Sequence, residues 1–245
     1  MVNINPGDFN PTTMFGVSYD GTPSNFSDLE DNTSHPDILT DGGDLIQRRD
    51  YTLIVDRSAN MIVVDPTHDI TLQAILEDAT LAVATHCEQL DLKGIDLYFY
   101  NNTFQYCDRV TSSHIPALFR QHHPVGDPQL APVLQDAINR YFHHRRYGES
   151  KQNGEIIFVL IGSLPTDTEQ VKQTIIAASK RLTREEELGI LLLQVGTDLE
   201  LQSFLISLDD ELESLGAKFD ICDTVTFDTI NRATLSEVLL DAITE

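Results

Sequence analysis

From residue 50 onward, short apolar runs alternate with longer amphipathic stretches, and that alternation leaves very few folds open to the chain. Tyr51–Asp56, Ile95–Tyr100, Glu155–Ile161 and Leu188–Val195 are nearly continuous in apolar side chains, and a further strand is expected inside Phe219–Phe227. A strand buried on both faces has this composition, whereas a strand with one wet face alternates apolar and polar. Between the strands, Ile70–Leu90, Leu130–Tyr147, Asp167–Leu182 and Leu199–Leu215 repeat apolar residues at helical spacing. Asp69 is placed to cap the first of these helices, Gly216 to stop the fourth, and Thr234 to cap a last helix through Ile243. Phe104–Val110 reads as an edge strand joined through a turn at Asn101-Asn102, and Ser113–Arg120 as a short helix. A closed barrel needs eight strand–helix units and the chain supplies about six. The expectation is therefore an α/β fold: an open, doubly wound, mostly parallel, Rossmann-like sheet with helices on both faces.

Residues 1–48 are of another kind. They are rich in Pro, Gly, Asn, Asp, Ser and Thr, with breakers at Asp20-Gly21, Thr22-Pro23, His35-Pro36 and Asp41-Gly42-Gly43. The expected organisation is a largely irregular, acidic tail over 1–48 and one α/β domain over 49–245. Phe9, Met14, Phe15, Val17 and Tyr19 are isolated apolar residues in that tail. They suit a segment draped over the domain, or one that self-associates by adding a strand to another subunit.

Charge narrows the partners. The 245 residues carry 39 acidic and 16 basic side chains, a formal charge of -23, which repels phosphate backbones and anionic lipid surfaces. Nucleic-acid binding is not expected. The local basic clusters at Arg140–Arg146 and Lys180–Arg184 read as helix C-termini. Cys87, Cys107 and Cys222 match no metal spacing and read as small core side chains in a reducing compartment. No secretion signal or spanning apolar stretch is present in the sequence, so a cytoplasmic protein with no membrane insertion is expected.

In an open α/β sheet, ligands bind beyond the carboxyl ends of the strands where the strand order reverses. The run Asp56-Arg57-Ser58-Ala59-Asn60-Met61 falls at that end of the first strand. It has no glycine, so it is neither a dinucleotide loop nor a phosphate-binding loop. Asp56, Ser58 and Asn60 are oxygen-bearing side chains at every second position. They suit a divalent metal, or else a local turn of Asx and Ser hydrogen bonds.

On these residues, 50–243 resemble a von Willebrand factor type A (VWA) domain, in particular the soluble single-domain kind found in microbes. That family carries a metal-ion-dependent adhesion site built from three loops. Asp56 and Ser58 match its first motif, Asp-x-Ser-x-Ser, with Asn60 in place of the second Ser. Gly126-Asp127-Pro128-Gln129-Leu130 fits the frame of the second, with Pro128 where a Thr belongs. Ile161-Gly162-Ser163-Leu164-Pro165 follows the central strand as the third motif does, with Gly162 where an Asp belongs. Leu215–Val225 is similar to the last strand region of the microbial subgroup.

The resemblance implies a protein–protein interaction or assembly module. The departures imply a degenerate adhesion site whose metal ligands, Asp56, Ser58, Asn60 and a compensating Asp127, bind weakly or not at all. Without the metal, Arg57, Asp127 and Ser163 are the expected contacts with a partner protein, the Arg57 guanidinium meeting a partner carboxylate directly. The alternative keeps a Mg2+, Ca2+ or Mn2+ site rebuilt around Asp127; a third reading is a metal-assisted hydrolase. No nucleophile with a base and an orienting group emerges, so no enzyme is expected. His143-His144 is not expected to be a ligand pair, since adjacent helical residues do not share a face, and His122-His123, before Pro124-Val125-Gly126, reads as exposed loop residues.

Overall fold

A computed structural model describes residues 48–66, 69–90 and 94–226, and every structural statement below concerns those residues. All but the last residue of the expected tail over 1–48, and the expected final helix Thr234–Ile243, lie outside them.

The strands are β1 (Asp50–Asp56), β2 (Val64–Asp65), β3 (Ile70–Thr71), β4 (Ile95–Tyr100), β5 (Phe104–Val110), β6 (Glu155–Ile161), β7 (Leu188–Gln194) and β8 (Cys222–Thr226). The helices are α1 (Leu72–Leu90), α2 (Ile115–Gln121), α3 (Ala131–Tyr147), α4 (Thr168–Ser179) and α5 (Leu199–Asp210). Six strands form one sheet in the order β5-β4-β1-β6-β7-β8. All neighbours run parallel except β4 and β5, a hairpin whose turn is held by Thr103 N–H on Asn101 Oδ1 at 2.9 Å. The chain leaves β1 toward β4 on one side and returns to β6 on the other, so the strand order reverses at β1.

The strands are apolar throughout because both faces are covered. Ile54, Tyr98, Tyr100, Ile157, Val159 and Leu192 pack with α3, α4 and α5 on one face. Leu53, Val55, Phe99, Phe158, Leu160 and Leu193 pack with α1 and α2 on the other. Burying each such side chain contributes about 1.5–3 kcal/mol. Cys87 and Cys222 are buried and Cys107 half-buried, all three as free thiols. Among the described residues, no helix is long and apolar enough to cross a membrane.

Among the described residues the expected elements are present, with shifted ends. The helix expected from Ile70 starts at Leu72, because Ile70 and Thr71 pair with Val64 and Asp65 as a two-stranded ribbon. Asp69 does not cap it: it sits at φ 54, in the left-handed region, and Thr71 Oγ1 accepts the Ala74 N–H at 3.3 Å instead. The helix expected to reach Leu215 ends at Asp210, and the chain turns from there to Gly216, which takes φ 103. The basic end of α3 is a helix C-terminus as expected, closed by Gly148 at φ 72 and with Arg145 paired to Glu187 at 2.5 Å.

Candidate binding site at the carboxyl end of the sheet

The end of β1 places two consecutive residues on opposite faces. Asp56 pairs in register with Tyr100 of β4 and shares the parity of Ile54, the face of α3. The ladder continues one residue further, where Arg57 N–H donates to Tyr100 O at 2.8 Å. Arg57 therefore shares the parity of Val55 and goes under α2. The loop is then stitched to residues 125–126: Val125 N–H donates to Arg57 O at 2.9 Å, and Ala59 N–H to Gly126 O at 2.8 Å. Gly126 takes φ 76, and a Cβ there would stand 1.9 Å from Asn102 Oδ1, so glycine is needed for this close approach.

Asp56 is fully buried, and protein donors already occupy its carboxylate. Ser58 N–H donates to Oδ1 at 2.8 Å, and Ser163 Oγ–H donates to Oδ2 at 3.0 Å. Ser58 Oγ and Ser163 Oγ lie 3.3 Å apart. Burial pushes the Asp56 carboxyl up, against the hydrogen bonds from Ser58, Ser163 and the Gly162 backbone, which pull it down. Asp56, Ser58 and Ser163 thus come together as one buried cluster.

The other expected site residues do not join it. Asn60 is exposed on the short 3-10 turn Ala59–Ile62, where its carbonyl accepts the Val63 N–H at 3.1 Å. Asp127 is exposed and pairs with Asn102: its Oδ2 accepts from Asn102 Nδ2 at 3.2 Å, and its N–H donates to Asn102 Oδ1 at 2.9 Å. Pro128 presents its carbonyl to Thr166 N–H at 2.9 Å. At Gly162 the room for a side chain is taken: a Cβ there would be 2.9 Å from both Sδ and Cε of the buried Met61.

Arg57, the expected contact for a partner carboxylate, lies buried in the free chain. Only 1% of it is exposed, with the guanidinium carbon 4.7 Å from the Phe119 ring centre and Nε donating to His122 O at 2.7 Å. Even numbering from Asp56 carried the signal: in a sheet covered on both faces, the residue next to a buried one is buried on the other side.

Two residues that sequence reasoning did not single out belong to this end of the sheet. Asp167, placed by its sequence as the start of α4, sends its carboxylate to α3 and accepts Leu130 N–H at 3.0 Å and Ala131 N–H at 2.9 Å. Tyr100 has its hydroxyl buried with no hydrogen-bond partner, and burial, then Asp56 and Asp167, hold it well above the usual phenol range. Among the described residues, no three His, Cys, Asp or Glu side chains are grouped to hold a metal ion.

Beside the cluster a cavity of about 310 Å³ is lined by Asn60, Val64, Asp65, Gly162, Ser163 and Gly196 among others. Its flank carries the exposed apolar run Ile62 (63%), Val63 (56%) and Val64 (50%). Val63 and Val64 also line the cavity itself.

No protein-family model matches the chain, and no curated protein sequence does. Solved structures do match in fold. A mutant of the PilB minor pilin from Streptococcus sanguinis superposes with TM-score 0.52 at 11% identity, covering 79% of this chain and 60% of that one. The chain thus spans less than two thirds of that pilin. The manganese-loaded TRAP protein from Plasmodium vivax superposes with TM-score 0.50 at 10% identity, covering 80% of this chain and 74% of that one. The fold is a VWA-like, Rossmann-like open sheet, and at these identities the likeness is one of fold alone.

Proposed function

We propose that the domain is a non-enzymatic protein–protein interaction or assembly module whose VWA-like adhesion site no longer depends on a metal. The observation that supports this reading is the engagement of Asp56 by Ser58 and Ser163, with Met61 filling the place where a second carboxylate would stand. A hard cation such as Mg2+ wants about six oxygens in near-octahedral array. The matched positions offer the Asp56 carboxylate and the Ser58 and Ser163 hydroxyls; Pro128 and Gly162 add no side-chain oxygen, and Asp127 is held by Asn102. That donor set does not fit. Recognition then rests on the apolar run Ile62–Val64 and the cavity beside it, with a partner protein or a second copy reached through residues 1–48.

A second reading keeps a divalent cation, and the convergence of the Asp56, Ser58 and Ser163 oxygens favours it. Calorimetric titration with Mg2+, Ca2+ and Mn2+, on the wild type and on Asp56→Ala, separates the two. No saturable binding below about 1 mM is expected. Tight binding that disappears in Asp56→Ala would replace the first reading with the second. Affinity capture with the intact chain, with residues 1–48 removed and with Val63→Asp tests the interaction itself: a partner lost in Val63→Asp supports the rim, and one indifferent to it does not.

A further inference from the structure

A different cavity, also about 310 Å³, lies between the β4–β5 hairpin and the segment that follows α2. Arg57 is one of its lining residues. On one edge of the guanidinium, Nε and Nη2 donate to the carbonyl of His122, and Nη2 also reaches that of Phe119 at 3.2 Å. On the other edge Nη1 is buried and has no acceptor. Among the described residues no carboxylate stands within ion-pair distance of Arg57; Glu77 and then Asp56 act on it from farther away. Burial pushes the guanidinium down to about 10, the mark of a cation held out of water without a counter-charge.

Buried charges are as a rule paired, because removing an ion from water is costly unless another charge and its hydrogen bonds replace the solvent. An anion beside Nη1 would supply such a counter-charge. The rest of the cavity has the matching chemistry: Asn101, Thr103, Gln105, His122 and His123 bring amide, hydroxyl and imidazole groups, and none of the lining residues is acidic. That lining stands out in a chain with 39 acidic side chains. Nη1, the nitrogen left without an acceptor, belongs to a cation of single charge, which suits the single charge of a carboxylate. A phosphate dianion would leave a charge uncompensated.

We propose that this cavity is a carboxylate-binding site in which Nη1 of Arg57 receives the anion and Asn101, Thr103 and Gln105 surround it. This cavity shares no lining residue with the one beside Ser163. Arg57 is shielded, so an anion reaches Nη1 only when a lining side chain moves. The carboxylate comes either from a free small acid or from an Asp, Glu or chain terminus of another protein.

Side-chain NMR on the full-length protein tests this. Sodium acetate is titrated against sodium chloride at constant ionic strength, following the Arg57 Nε–Hε signal and the His122 backbone amide. A saturable shift with acetate and none with chloride is expected. Gln105→Glu, at an exposed position on β5 that lines the cavity, supplies a competing carboxylate and weakens acetate binding about tenfold. A linear response, an equal response to chloride, or wild-type acetate binding by Gln105→Glu overturns the proposal. A short Asp- and Glu-rich peptide forms the second arm: tighter binding than acetate at the same signals assigns a protein side chain as the source, and acetate binding alone assigns a free acid.

Discussion

Two buried carboxylates lie on β1 and its neighbour β6, and their surroundings give them different fates. Asp56, at the carboxyl end, has donors on both oxygens. Glu155, at the opposite end of the sheet, has one, Thr52 Oγ1–H at 2.6 Å, and is 5% exposed. Burial raises the Glu155 carboxyl to about 8, with Asp50 and Asp96 adding to the rise and Thr52 and Arg140 opposing it. An acid whose folded value lies above its unfolded value keeps a proton in the folded state that the unfolded state has lost. Stability therefore falls as pH rises from about 4.5 to 8. Glu155→Gln removes the titration and keeps an acceptor for Thr52. Urea unfolding should show the variant within about 0.5 kcal/mol of wild type near pH 4.5 and about 2 kcal/mol more stable near pH 8. A difference that does not change with pH would mean that Glu155 is ionised in the folded protein. At this scale the sequence was legible where a residue acts through its neighbours, as with Asp56 and Ser58. It was silent where distant chain decides, since the carbonyls that hold Arg57 come from residues 62 and 65 positions away.

Elements show the same division. The strands were readable because a sheet covered on both faces needs unbroken apolar runs, which survive any detail of packing. Helix ends were less readable, because their caps are exchanged between elements. α3 starts at Ala131-Pro132, and the N–H groups of Leu130 and Ala131 have no acceptor on their own helix. Asp167 supplies both acceptors from the loop before α4, a residue that its own sequence context assigns to the helix it precedes. Asp167→Ala should cost about 1–2 kcal/mol in chemical denaturation and speed amide exchange at Leu130 and Ala131. Asp167→Asn, with one acceptor left, should lose less. Unchanged exchange in the Ala variant would show that the cap does not hold this end of α3. Contacts between distant segments also decide the loops at Pro128, whose carbonyl accepts the Thr166 N–H, and at Gly162, where Met61 takes the room for a side chain.

At the scale of the molecule the charge of -23 acts on every element together. Like charges on a compact body repel one another, and salt screens them over a Debye length of about 30 Å at 0.01 M and about 3 Å at 1 M. The Tm should therefore rise by several degrees, about 3–8 °C, between those salt concentrations. A Tm that falls would mean that ion pairs such as Arg145–Glu187 outweigh the general repulsion. The position of β1 at the centre of the sheet has a further consequence, in time rather than in energy. Its partner β6 lies far along the chain, and the Thr52–Glu155 hydrogen bond alone spans 103 residues. Local pieces such as the β4–β5 hairpin close quickly, while the β1–β6 seam waits for the costliest loop. During synthesis β1 leaves the ribosome long before β6 exists, with the backbone edge that will face β6 unpaired. The same strand that organises the finished sheet is thus the segment of the nascent chain most in need of a chaperone.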